Sequence, residues 1–159
     1  MKPPPFVVRI GTATMVAKVF IDTNIILRAF HDSFAEYPRA RTLFDRLLAE
    51  NTELWINRQV IREYLVQATH PKTFVVPLSV EDVLKQINLI KVTCSVADET
   101  EQVTLKLLEL LKTYPTRGKQ IHDANLVATM LTYGIDTLLT LNIDDLKRFE
   151  PAIQLMTLP

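Results

Sequence analysis

Asp22, Glu63, Asp123 and Asp145 lie 41, 60 and 22 residues apart along the chain. Folded into one place, they would make a site of oxygen ligands only. Two carboxylates about 4 Å apart repel by roughly 4 kcal/mol at an effective dielectric of about 20. Such a group therefore takes up protons or holds a hard divalent cation. Oxygen ligands favour Mg²⁺ or Mn²⁺ over zinc. Cys94, His31, His70 and His122 are scattered without zinc-ligand spacing. A centre of this kind polarises a phosphodiester and activates water, and it needs no serine, cysteine or histidine nucleophile.

Convergence depends on the elements that carry these residues. Val19-Phe20-Ile21 is a short apolar run of the buried-strand type and ends directly in Asp22-Thr23-Asn24. Ala40, Leu43, Phe44, Leu47 and Leu48 give a helix over 37–50, followed by a strand at Leu54-Trp55-Ile56. Asn57 is an N-cap for a helix that carries Glu63 on the border of its apolar face and stops at Pro71. Ser79-Val80-Glu81-Asp82 opens a helix to about Leu89, and residues 90–93 are a strand candidate. A strong helix is expected from about Asp98 to Tyr114, then a basic loop at Thr116-Arg117-Gly118-Lys119. Asp123 falls in the first turn of a helix over 121–133 that ends at Gly134. Thr137 to Leu141 is a strand, with Asn142, Asp144 and Asp145 just beyond it, a turn-helix over 143–149 and a last strand near Ile153–Met156. Strands alternating with helices imply right-handed crossovers and a mostly parallel central sheet flanked by helices. Functional groups in such sheets gather beyond the carboxyl ends of the strands, where these acids fall.

The 159 residues, 48% apolar and 23% charged, fit one folded domain over 15–159 with no internal linker or repeat. Three glycines and one cysteine exclude collagen-like, glycine-rich and disulfide-framework classes. Eighteen basic residues against eighteen acidic ones argue against a constitutive nucleic-acid binder held by a strongly basic surface and leave transient contact with RNA or DNA open. Residues 1–14, with Pro3-Pro4-Pro5, are expected to be a flexible leader. Either that leader is disordered or Met15 is the functional start. No apolar stretch reaches the roughly 20 residues of a membrane span, and Arg9 interrupts the one export-signal candidate. The cytoplasm is the default location, and no membrane partner is expected.

Four segments, in order, resemble the motifs of a PIN domain: Val19-Phe20-Ile21-Asp22-Thr23-Asn24, Arg62-Glu63-Tyr64, His122-Asp123-Ala124-Asn125-Leu126-Val127-Ala128 and Thr140-Leu141-Asn142-Ile143-Asp144-Asp145-Leu146. More narrowly they resemble the VapC-like ribonuclease toxins of bacterial toxin–antitoxin pairs, over about residues 18–157. The resemblance implies a three-layer α/β/α fold and a Mg²⁺- or Mn²⁺-dependent endoribonuclease. It also implies a homodimer, an RNA substrate and a small inhibitory antitoxin. By motif match Asp22, Glu63, Asp123 and Asp145 would be the catalytic acids, and Asn142 would join them around the metal. Leu146 stands where the family usually places an aromatic residue after the final Asp. Thr23, Asn24, Arg117 and Lys119 are the candidate substrate contacts.

Each residue also has a plainer reading. Asp22 or Thr23 caps the next helix; Asp123 gains from a helix dipole; Glu63 is a solvated helix residue; Asn142-x-x-Asp145 is a capping-box variant. Thr23 and Asn24 order the Asp22 loop, and Arg117 and Lys119 are a solvated loop. A PIN-like binding or scaffold module with impaired chemistry is the competing function, motivated by Asn142 and Leu146. An aspartyl-nucleophile phosphatase would need Asp where Asn24 stands, and Gly118-Lys119 is followed by Gln120 rather than the Ser or Thr of a P-loop.

Overall fold

The computed structural model describes residues 9–10 and 13–159. The expected leader over 1–14 falls largely outside the described residues. Within it, Arg9–Ile10 (β1) pairs antiparallel with Ala13–Thr14 (β2). The main sheet contains Lys18–Ile21 (β3), Glu53–Asn57 (β4), Ser95–Ala97 (β5), Thr137–Leu139 (β6) and Gln154–Met156 (β7). They are arranged β5-β4-β3-β6-β7, and every neighbouring pair is parallel. Val19, Phe20 and Ile21 of the central strand are all buried, because a parallel sheet is covered on both faces.

The covering helices are Thr23–Phe30 (α1), Tyr37–Ala49 (α2), Arg58–Ala68 (α3), Val80–Thr93 (α4), Glu101–Thr113 (α5) and Gln120–Thr132 (α6). Ile143–Leu146 (α7) leads into a 3₁₀ turn at Lys147–Phe149. One set of contacts joins α1 to α2 and α3, and another joins α5 to α6. The result is the three-layer α/β/α arrangement of the expected fold. None of the helices among the described residues is long and apolar enough to cross a membrane.

Three boundaries differ from the expectation: the strand expected over Thr137 to Leu141 ends at Leu139, and the other two concern α4 and α5. Residues 90–93 belong to α4, and the strand starts at Ser95. Ile90 is buried while Val92 is almost fully exposed, so the β-branched run keeps helical rather than alternating burial in register with Val83. At α5 the cap is Thr100, whose hydroxyl accepts from the Val103 amide, rather than Asp98. Asp98 instead pairs with Arg58 at 2.7 Å, which draws it towards the start of α3. Asn57 does cap α3, its Oδ1 accepting from the Val60 amide at 2.9 Å. Cys94 is free and buried, and burial pushes its thiol up to about 12, so it is unreactive.

The register decides what lies at the carboxyl edge. Ile21 pairs with Leu139, so Asp22 and Thr140 emerge side by side from the two middle strands. The Asp22 amide donates to the Leu139 carbonyl (3.0 Å) and the Thr140 amide to that of Met156 (2.9 Å). The ladder thus holds both residues in place before any side chain is considered.

Candidate active site

Asp22 is buried and caps α1, its Oδ1 accepting from the Thr23 amide at 2.7 Å. Its other oxygen accepts from the Thr140 hydroxyl at 2.6 Å and from Asn24 Nδ2 at 2.8 Å. Capping and a site role are therefore compatible in the same carboxylate. Glu63, half-buried on α3, accepts from Thr23 Oγ1 at 2.7 Å and from Gln59 Nε2 at 2.9 Å. Thr23 thus ties both acids together, with its amide on Asp22 and its hydroxyl on Glu63.

Asp123, in the first turn of α6, is half-buried, and its carboxyl is raised to about 6. Burial is the largest cause, followed by the charges of Asp22 and Asp145 and, more weakly, Glu63; Arg148 acts in the opposite sense. Asp22 is also raised, mainly by burial, with Glu63 adding to it and the Thr140, Thr23 and Asn24 hydrogen bonds opposing. Four acids, from the end of β3 and from α3, α6 and α7, therefore share one electrostatic field. Among the described residues none of the four forms an ion pair.

That donor set is all oxygen, and none of its acids is ion-paired, which fits a hard divalent cation. Its spacing is open: among the described residues no group of three or more His, Cys, Asp or Glu side chains is gathered tightly enough to hold an ion as it stands. Asn142 sits at the N-cap position of α7 but makes no side-chain cap bond, so the expected capping box is absent. Its amide donates instead to Thr140 Oγ1 at 2.9 Å.

Asp22, Thr23, Asn24, Glu63 and Asn142 line a common open cleft of about 460 Å³. Arg117 and Lys119 are exposed and lie outside its lining. The polar atoms of Asn24 are already engaged: Nδ2 donates to Asp22 and to Thr140 Oγ1, and Oδ1 accepts from the Leu141 amide at 3.1 Å. Thr23 and Asn24 therefore hold the acids and the β6 end in register.

Two residues of this network, Gln59 and Thr140, escape a reading of the sequence. Gln59 bridges Glu63, the His122 carbonyl (3.2 Å) and Asn125 Nδ2 (3.2 Å), which locks α3 onto α6. Its one available signal is its position one turn before Glu63. Thr140 is fully buried and serves Asp22, Asn24 and Asn142 at once. Thr140→Val keeps the shape and leaves the Asn142 amide without its acceptor and Asp22 without its shortest bond. The expected cost is about 1–3 kcal/mol, read as a lower urea midpoint, with Asp22 pushed further up. An unchanged midpoint would show that the hydroxyl does not order this edge.

Beneath the cleft, His31 and Tyr64 join α1 to α3, with Nε2 and the phenol oxygen 2.8 Å apart. Burial lowers His31, so the ring is neutral, and burial raises Tyr64 far above its ordinary value. Phe74 packs edge-on against His31 at 4.9 Å.

A parallel five-stranded sheet thus gathers acids beyond its carboxyl edge, Asp22 from the end of its central strand and the others from the helices that follow. The PIN domain family model matches residues 19–150, and the chain belongs to the PIN domain family. A search of curated proteins finds no match. Solved structures share the fold. VapBC2 from Rickettsia felis, bound to a DNA fragment from its promoter, is 20% identical, with a TM-score of 0.63 over 89% of this chain and 99% of that one. VapBC-1 from nontypeable Haemophilus influenzae is 18% identical, with a TM-score of 0.64 over 88% and 97%. VapC20 of Mycobacterium tuberculosis, a sarcin–ricin loop cleaving toxin, is 16% identical, with a TM-score of 0.59 over 80% and 92%.

Proposed function

We propose that the chain is a metal-dependent endoribonuclease and the toxin of a type II toxin–antitoxin pair, restrained by a small cognate antitoxin. The observation that carries this reading is the convergence of Asp22, Glu63, Asp123 and Asp145, close enough to act on one another's charge, with Thr23 bridging Asp22 and Glu63. Acids that disfavour one another's charge, with no lysine or arginine paired to them, suit a divalent ion better than a structural role. In this reading Asp22, Glu63 and Asp123 hold Mg²⁺ or Mn²⁺, and Asn142 and Asp145 complete the site. The ion would neutralise the shared charge and polarise the scissile phosphodiester. Thr23, Asn24, Gln59 and Thr140 position the carboxylates. The likeness to VapBC complexes supports an antitoxin partner. Leu105 and Leu108 on α5, both about half exposed, support a homodimer contact.

A binding module with impaired chemistry is the second reading, favoured by the open spacing of the acids. Calorimetry with Mn²⁺ separates the two. The nuclease reading expects saturable binding that Asp123→Asn weakens at least tenfold. Heat that is the same in both proteins would favour the binding module. Expression with and without the adjacent small reading frame tests the pairing: growth arrest only in its absence is expected.

A further inference from the structure

We propose that Lys72, with Arg28 on the same cleft, binds a backbone phosphate flanking the scissile bond in a single-stranded RNA. This rests on the nuclease reading of the acids.

The chain has no net charge, and its site gathers negative charge, so a polyanion reaches it only where local cations offset the acids. The basic loop at Arg117 and Lys119 lies outside the cleft lining. Lys72 and Arg28, by contrast, line the same cleft as Asp22 and Glu63. A strand whose scissile phosphate lies at the acids and that runs along this cleft would bring a further backbone phosphate to these two cations. The site is a recess, which suits one extended strand rather than a duplex.

Lys72 is exposed and, among the described residues, forms no ion pair. Its backbone is fixed all the same. The Lys72 amide donates to His70 Nδ1 at 3.0 Å, and Thr73 Oγ1 donates to Gln67 Oε1 at 2.6 Å. Phe74, next along the loop, is buried with its ring against His31 and Phe34. The loop thus presents an uncompensated ammonium from an anchored turn.

Arg28 is held more tightly. Its Nη1 donates to the Asn24 carbonyl at 3.0 Å, and its guanidinium lies over the Phe34 ring at 4.9 Å. Its Nε is buried with no hydrogen-bond partner, although Glu36 Oε2 stands 3.5 Å away as an ion pair. Glu36 therefore draws on the charge of Arg28 without closing the hydrogen bond, and Lys72 is the less encumbered of the two.

The two residues predict shifts of opposite sign. A fluorescein-labelled single-stranded RNA of mixed sequence, in EDTA so that it stays intact, is titrated by anisotropy over a range of salt. Lys72→Ala is expected to weaken binding roughly 3- to 10-fold at low salt and to flatten the salt slope by about 0.7, one phosphate contact. Glu36→Gln, which frees Arg28, is expected to tighten binding by a similar factor. With Mn²⁺ present, Lys72→Ala should raise KM and leave kcat nearly unchanged. Lys72→Gln repeats the first arm with a longer neutral side chain. Affinity and slope equal to wild type in both Lys72 variants, while the wild type cleaves RNA, would overturn the phosphate site alone. Failure of the wild type to cleave with either Mg²⁺ or Mn²⁺ overturns the nuclease reading, and is read in a separate assay.

Discussion

Asp22→Asn is expected to lower RNA cleavage about a thousandfold or more while leaving the fold intact. The amide keeps an oxygen for the Thr23 amide, and Asn caps helices as well as Asp does, so α1 should still start at Thr23. Two contacts are lost, because the new amide nitrogen faces both Asn24 Nδ2 and the Thr140 hydroxyl, whose oxygen already accepts from Asn24 and the Asn142 amide. Against that loss, a buried carboxylate with a raised pKa is replaced by a neutral group. Circular dichroism and the melting temperature should therefore stay near those of the wild type while Mn²⁺ affinity falls. Cleavage that persists in a well-folded Asp22→Asn protein would remove the central acid from the chemistry, and the nuclease assignment with it.

The legible part of this fold was the part written in periodicity. The apolar run of β3 ends where Asp22 begins, and the helix stripes carry Glu63 and Asp123 to predictable turns. The parallel sheet follows from strand–helix alternation, and its carboxyl edge follows from the sheet. The supporting network was hidden because it joins small polar residues far apart in the chain: Thr140 to Asp22 across 118 residues, Asn125 to Gln59 across 66. No local pattern marks such pairs. Lys72 was hidden for a different reason, since a loop has no period and only the packing of Phe74 shows where it points its backbone. The errors near residue 90 and at Asp98 are of a third kind. There, the β-branched residues near 90 and the choice of Asp98 over Thr100 as the helix start could not be decided locally, and tertiary contacts settled both.

Without metal, Asp123→Asn is expected to be more stable than the wild type at pH 7 and equal to it near pH 4. The folded carboxyl titrates near 6 against 3.8 when unrestrained. Between those values the folded chain keeps a proton that the unfolded chain has released, so stability falls as pH rises through this window and stays reduced above it. Asp22, also raised, acts in the same direction. His31 acts oppositely, because its lowered value makes stability fall as pH drops below 6.5, and the wild-type profile mixes these effects. The difference between the two proteins isolates Asp123. Allowing for solvent screening of a half-exposed group, the gap at pH 7 should be about 1–2 kcal/mol. Mn²⁺ should reverse it: at a hundred times its Kd the ion adds about 2.7 kcal/mol to the wild type, and little at pH 4.5, where protons compete for the same oxygens. Melting curves at pH 4.5 and 7, with Mn²⁺ or EDTA, measure all four terms. A variant no more stable than wild type in EDTA at pH 7, or an equal Mn²⁺ shift in both proteins, would mean that the acids neither repel one another nor share an ion.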